Sequence, residues 1–185
     1  MKLTYSSLQL RISPDLYLQK ASLPDAPALF QIINRDREYL RQWLPFVDFS
    51  VSIADTSNYL KFVTAPGNTS DMVFVIVYNH EVCGLIGFKG IDRLNKKIEI
   101  GYWLAEDKQG LGIMRRSCHR LLKYGFEKLH MNRAEIKVGV GNIRSSNIPK
   151  KLGFTREGVQ RQGEYLNGRF HDLEVYSLLR VEFKG

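Results

Sequence analysis

Gly110 and Gly112 stand in the stretch KQGLGIMRR, after an apolar run and before an amphipathic one. Glycine closes helices more often than it opens them, so two glycines at a helix start call for a chemical reason. The first turn of a helix carries unpaired N–H groups and the positive end of the helix dipole. A loop without side chains lets a phosphate approach those donors. Arg115 and Arg116 add positive charge beside it. The stretch reads as a pyrophosphate cradle, against the alternative of a tight loop whose glycines serve turn geometry alone. It is not a P-loop, because GxxxxGK followed by Ser or Thr is absent. The dinucleotide pattern GxGxxG fails too, since GLGIMR puts Arg115 in the third glycine slot.

Glu99 is the second residue with chemical content. It lies between Ile98 and Ile100 in an alternating run, where a carboxylate is costly unless it meets a cleft or a cation. Facing a cleft, partial burial would raise its pKa and make it a usable base, directly or through a water. The competing reading is a solvent-facing glutamate paired with Lys97 or Lys137. The histidines at 80, 119, 130 and 171 show no HxxxH spacing, and Cys83 and Cys118 form no CxxC. No metal and no disulfide framework is expected. Cys118 falls on an apolar helical stripe and reads as core, not as a nucleophile.

These residues must be held by a sheet and a few helices. LYLQK at 16–20 alternates like a strand. Ala28, Leu29, Ile32 and Ile33 have helical spacing, with Pro27 tolerable in the first turn. A second helix is expected over about 54–64, ended by Pro66-Gly67. DMVFVIVYNHEVCGLIGFKGI reads as a hairpin turning near Asn79-His80, and KKIEIGYWL (96–104) as the next strand, with Ile98, Ile100 and Tyr102 on one face and Glu99, Gly101 and Trp103 on the other. From 113 to 130 the period becomes helical, with Cys118, Leu121, Leu122, Phe126 and Leu129 in one stripe. RAEIKVGV is a strand, SSNIPKKLGF a short helix stopped by Gly153, and Asn167-Gly168 the turn of a last hairpin. The fold class is therefore α+β with a mixed sheet, not a doubly wound one. The whole chain, 1–185, reads as one domain without repeats, linkers or low-complexity tracts.

Composition narrows the setting. No apolar run approaches the roughly 18 residues of a membrane span, and the first residues, MKLTYSSLQLRISPD, do not read as a signal peptide. A reducing cytoplasm fits the two separated cysteines best. The 27 basic against 19 acidic residues give a formal charge of +8. That invites an anionic partner such as RNA, DNA, a ribonucleoprotein or a phosphorylated cofactor. With no block of five like charges, a merely solvated basic surface remains the plainer reading.

The stretch IEIGYWLAEDKQGLGIMRRSCHRLLKYGFEKLHMNRAEIKVGVGNIRSSNIPKKLGF resembles the GCN5-related N-acetyltransferase (GNAT) superfamily. REYLRQWLPFVD before it and REGVQRQGEYLNGRFHDLEVYSLL after it are similar to the branch that acetylates ribosomal-protein serine or alanine N-termini, so the likeness covers nearly the full chain. The resemblance implies a twisted mixed sheet flanked by helices, splayed between the Glu99 strand and the Ala134 strand. Acetyl-CoA would lie in the wedge as co-substrate, its pantetheine arm pairing with the backbone of Tyr102, Trp103 and Leu104. The superfamily pattern Q/R-x-x-G-x-G/A starts at Gln109 and keeps Gly112, with Met114 in the final small-residue slot. It implies phosphate donors on the backbone of Gln109, Gly110, Leu111, Gly112, Ile113 and Met114. In GNIRSSN, Asn142 would bond the pantetheine arm and Ser145 would protonate the leaving sulfur. The plainer reading of Ser145 is a helix N-cap, with Ser146 its rival for that role, and one hydroxyl can donate and accept, so both roles are compatible.

Acetyl transfer to an amine needs a neutral amine, a stabilised oxyanion and a proton for the thiolate. Glu99 is the first candidate base. Glu164 is a second, or a binder of the acceptor's ammonium, with a solvated loop residue as the favoured reading. Tyr39, Trp43 and Phe46 resemble an acceptor wall, with plain packing expected for at least one of them. The expected function is transfer from acetyl-CoA to a protein N-terminus by direct attack in a ternary complex, with no activated cysteine evident. A small amine, such as a polyamine or an antibiotic, is the alternative acceptor, and a non-enzymatic nucleic-acid-binding or CoA-binding module the alternative class. Ribosome association and a homodimer are implied by the resemblance alone; no membrane is.

Overall fold

The protein is described by a computed structural model over residues 8–185. Eight strands form one sheet: β1 (Gln9–Arg11), β2 (Leu16–Lys20), β3 (Met72–Tyr78), β4 (Glu81–Asp92), β5 (Lys97–Leu104), β6 (Arg133–Gly139), β7 (Thr155–Leu166) and β8 (Arg169–Leu179), in the order β1-β2-β3-β4-β5-β6-β8-β7. Every neighbouring pair is antiparallel except β5 with β6. Five helices flank it: α1 (Ala26–Arg35), α2 (Arg37–Leu40), α3 (Ile53–Val63), α4 (Ile113–Glu127) and α5 (Ile143–Lys151).

The two faces of β5 explain the layers. Ile98 and Ile100, with Tyr102 against them, join a core with α4 residues Cys118, Leu121, Leu122 and Phe126. Trp103, on the opposite face, joins a second core with Leu29, Ile32 and Ile33 of α1 and Leu60 and Val63 of α3. Period-2 alternation in a strand buried on both faces produces this division. Gly125 of α4 allows the close approach of helix to sheet. A Cβ there would sit 2.7 Å from Ile98 Cδ1 and 3.1 Å from Phe88 Cζ.

Both expected hairpins form. Asn79 and His80 have φ of 50° and 67°, and Asn167 and Gly168 have 51° and 78°, the left-handed pairs that tight antiparallel turns require. Several boundaries move for local reasons. β5 starts at Lys97 because Lys96 is left-handed, with φ 51°. α4 ends at Glu127 and not at 130, since His130 is left-handed with φ 55°. α3 begins at Ile53, one residue early, behind a capping box in which Asp55 Oδ2 accepts from the Ser52 N–H at 2.8 Å and Ser52 Oγ accepts from the Asp55 N–H at 3.3 Å. The short β1 and α2 are too brief to show a period in sequence. No helix among the described residues is long and apolar enough to cross a membrane.

Candidate active site

The site begins where a ladder ends. β5 and β6 pair over three positions only, Lys97 with Arg133, Ile98 with Ala134 and Glu99 with Glu135. Beyond them β5 stays bonded to β4 as far as Leu104, and β6 to β8 as far as Gly139. The sheet therefore forks, and the inner edges of both strands lose their partner. A cavity of about 760 Å³ occupies the fork, within the size of ligand sites in general. Tyr39, Trp43, Glu99, Tyr102, Trp103, Leu104, Gln109, Met114, Asn142, Ser145 and Glu164 all line it.

The glycine loop flanks one end of the cavity: Gln109 and Met114 line it, and Gly110, Leu111, Gly112 and Ile113 between them do not. Gly110 and Gly112 have φ of 78° and 71°, and a Cβ on either would meet nothing within 4 Å. The requirement for glycine is thus backbone conformation, not crowding. Among the described residues, the N–H groups of Gly110, Leu111, Gly112, Ile113, Met114 and Arg115 have no partner in the chain; the first bond of α4 runs from the Arg116 N–H to the Gly112 oxygen at 3.1 Å. Gln109 departs from expectation. Its N–H already donates to the Glu106 oxygen at 3.2 Å, so the donor run starts at Gly110. Its side-chain nitrogen reaches the Leu104 and Ala105 oxygens at 3.3 and 3.4 Å, tying the loop to the end of β5. Met114 is buried with the α4 core, so the large residue in the small-residue slot turns inward. A second tie holds the loop from below. The buried Asp36 accepts two bonds from Arg35 and a third, at 2.9 Å, from the Glu106 N–H.

α5 supplies the next wall. Asn142 Oδ1 accepts from the Ser145 N–H at 3.1 Å, so Asn142 is the N-cap. That overturns the capping reading of both Ser145 and Ser146. The Asn142 amide nitrogen has no partner among the described residues. Ser145 Oγ instead donates to the Tyr102 hydroxyl at 3.2 Å, and Ser146 Oγ donates to the Ile143 oxygen at 3.3 Å.

On the opposite face, Glu99 lines the cavity and is paired as well. Its carboxylate sits 2.7 Å from Lys89 Nζ and 3.1 Å from Lys137 Nζ. Lys137 was anticipated as a partner, Lys97 is not one, and Lys89 came unannounced from β4. The expected pKa is reversed. Burial raises it, but the two ammonium groups outweigh burial and hold the carboxyl below its ordinary value. The Glu99–Lys137 pair links β5 to β6 at the level where their backbone bonds stop.

Glu164 is the larger surprise. It lies on β7 beside His171 of β8, half-buried and lining the cavity, not in a solvated loop. Burial pushes its carboxyl up, against the opposing pull of Lys89 and His171. Trp43 closes the same side: a Cβ on Gly139 would lie 3.3 Å from its ring, and one on Gly141 3.9 Å. Asn167 Nδ2, in the β7–β8 turn, donates to the Arg41 oxygen at 3.2 Å, tying the hairpin to this segment. Phe46 does not line the cavity; its ring packs on Trp103 with centroids 6.4 Å apart. Cys118 is fully buried, with its thiol pushed up by burial.

The arrangement brings together a run of backbone donors, two free strand edges, a hydroxyl and a carboxyl of raised proton affinity. Comparisons with known proteins agree. The acetyltransferase (GNAT) domain matches residues 15–155. The protein named "Putative ribosomal N-acetyltransferase YdaF" of Bacillus subtilis is 37% identical over 164 residues, 87% of this chain and 89% of that one. The ribosomal-protein-serine acetyltransferase of Escherichia coli is 31% identical over 174 residues, 91% of this chain and 94% of that one. The solved RimL ribosomal L7/L12 α-N-protein acetyltransferase in complex with coenzyme A superposes with a TM-score of 0.89 at 30% identity, covering 93% of this chain and 98% of that one. The chain belongs to the GNAT family of acetyl-CoA-dependent N-acetyltransferases.

Proposed function

We propose that the chain acetylates the α-amino group of a ribosomal protein's N-terminus, within a ternary complex formed in the β5–β6 fork. Acetyl-CoA supplies an activated acetyl thioester. The donor run from Gly110 to Arg115 suits its pyrophosphate, and the edge of β5 that β6 leaves uncovered over Tyr102, Trp103 and Leu104, with the Leu104 oxygen taken by Gln109, suits an extended amide arm. Asn142 lines the same cavity, and its amide nitrogen is a further donor.

The observation that carries this reading is the pair of proton-handling groups lining one cavity. Glu164, with raised proton affinity, accepts the amine proton, directly or through a water, as the new C–N bond forms. Ser145 gives its hydroxyl proton to sulfur as the C–S bond breaks. One proton leaves the amine and one reaches the thiol, so the transfer balances with solvent restoring both groups. Glu99 is held ionised between Lys89 and Lys137, and its part is to brace the fork. Tyr39 and Trp43 wall the acceptor side. The formal charge of +8 supports an encounter with ribosomal RNA.

The test offers acetyl-CoA with peptides beginning Ser or Ala, the same peptides with a blocked α-amine, and spermidine. Thiol release and mass spectrometry read the outcome. Acetylation of free peptide α-amines alone is expected. Preferential acetylation of spermidine would contradict the acceptor assignment, and thiol release without acetylation would contradict transfer.

A further inference from the structure

Helix α5 contains a proline at position 149, inside its last two turns. In a regular helix the N–H of residue 149 would bond the carbonyl of residue 145. Proline has no N–H, and its ring crowds that same carbonyl. The helix therefore strips the Ser145 oxygen of its i+4 donor. The vacancy is filled from the sheet: the Tyr102 hydroxyl, on β5 across the fork, donates to the Ser145 oxygen at 3.2 Å. The same hydroxyl accepts from Ser145 Oγ at 3.2 Å.

We propose that Tyr102 is a positioning residue that fixes Ser145 Oγ in the cavity and, by turning its own hydroxyl hydrogen onto that oxygen, frees the Ser145 proton for the leaving sulfur. Ser145 is gripped at three points: Asn142 on its N–H, Tyr102 on its carbonyl, and Tyr102 on its hydroxyl. The single Ser145 hydroxyl proton rests on the Tyr102 oxygen, so the group is fixed in place and gives that proton up only when the bond to Tyr102 reverses. Burial drives the Tyr102 phenol far above its ordinary pKa, so it acts as a neutral donor and acceptor across the working pH range. As the C–S bond breaks, the Tyr102 hydrogen turns from the carbonyl to Ser145 Oγ, and the Ser145 proton, so released, passes to sulfur. The Tyr102 hydroxyl, now donating to Ser145 Oγ, stabilises the charge left there until solvent returns a proton. No further reactant is consumed.

This inference rests on Ser145 as the proton donor, so the test separates the two claims. Tyr102→Phe keeps the ring and removes only the hydroxyl; Ser145→Ala and the double variant complete a cycle. For each, kcat is measured alongside the acetyl-CoA dissociation constant by direct titration. Tyr102→Phe is expected to lower kcat about tenfold, the effect of one hydrogen bond, with acetyl-CoA affinity unchanged within about twofold. On the Ser145→Ala background the same substitution is expected to change kcat less than about twofold, because residues acting as a unit are non-additive. Undiminished kcat in Ser145→Ala would overturn the assignment of Ser145 and the proposal with it. Loss in Ser145→Ala with no loss in Tyr102→Phe, or losses that multiply in the double variant, would overturn the proposal alone.

Discussion

Glu99 and Glu164 line one cavity, yet their neighbours push their proton affinities apart. Two lysines clamp Glu99 and hold it ionised; burial leaves Glu164 the better base. Of two carboxyls driven apart in this way, the one of raised proton affinity is the candidate for proton transfer. Glu164→Gln is expected to lower kcat about 100-fold or more, with acetyl-CoA affinity retained; an unchanged kcat contradicts its role. The base must be ionised to act, so activity rises with pH through its raised pKa. Lys89 opposes that rise. Lys89→Met is therefore expected to move the acid limb of the pH–rate profile to higher pH, and a shift to lower pH contradicts the electrostatic account. The sequence revealed Glu99 through its alternation with Ile98 and Ile100. It offered Glu164 only as a second candidate, with a solvated loop residue as the favoured reading, because β7 slips register between Gln160 and Glu164. Four steps along β7 there oppose two along β8, with Gln162 left-handed at φ 52°. Such a bulge re-aims side chains and breaks the period that a linear reading depends on.

At the scale of elements, long periodic segments were legible and their ends were not. The apolar stripe of α4 and both hairpin turns stand in the sequence. The start of α5 does not, because Asn142 and Ser145 are both capping types and only geometry shows which one caps. The glycine loop was recognised by its residue types; its φ values and the capture of the Gln109 N–H are tertiary facts. Gly125 shows why α4 and β5 approach so closely. Gly125→Val would drive a side chain into Ile98 and Phe88. Overpacking of this kind costs about 1–3 kcal/mol, read as a lower unfolding midpoint. A midpoint equal to that of the parent contradicts the packing account.

At the scale of the molecule, the chain is two half-sheets joined by three residue pairs and an ion pair. One face carries α4 and α5 with the phosphate donors and the Ser145 hydroxyl; the other carries Glu99 and Lys137, on the side where α1 and α3 pack. The fork is where two substrates from opposite faces can meet; the family resemblance implies it, while no residue pattern does, since it is an absence of pairing. The central claim is that acetyl-CoA fills it. Thermal unfolding with acetyl-CoA, and with ATP and NAD as controls, tests that claim most directly. At 100 times its dissociation constant a ligand adds about 2.7 kcal/mol, which for a chain of this size raises the midpoint by roughly 5–10 °C. A rise of that order with acetyl-CoA alone is the expected result; no rise, or an equal rise with ATP, would contradict it.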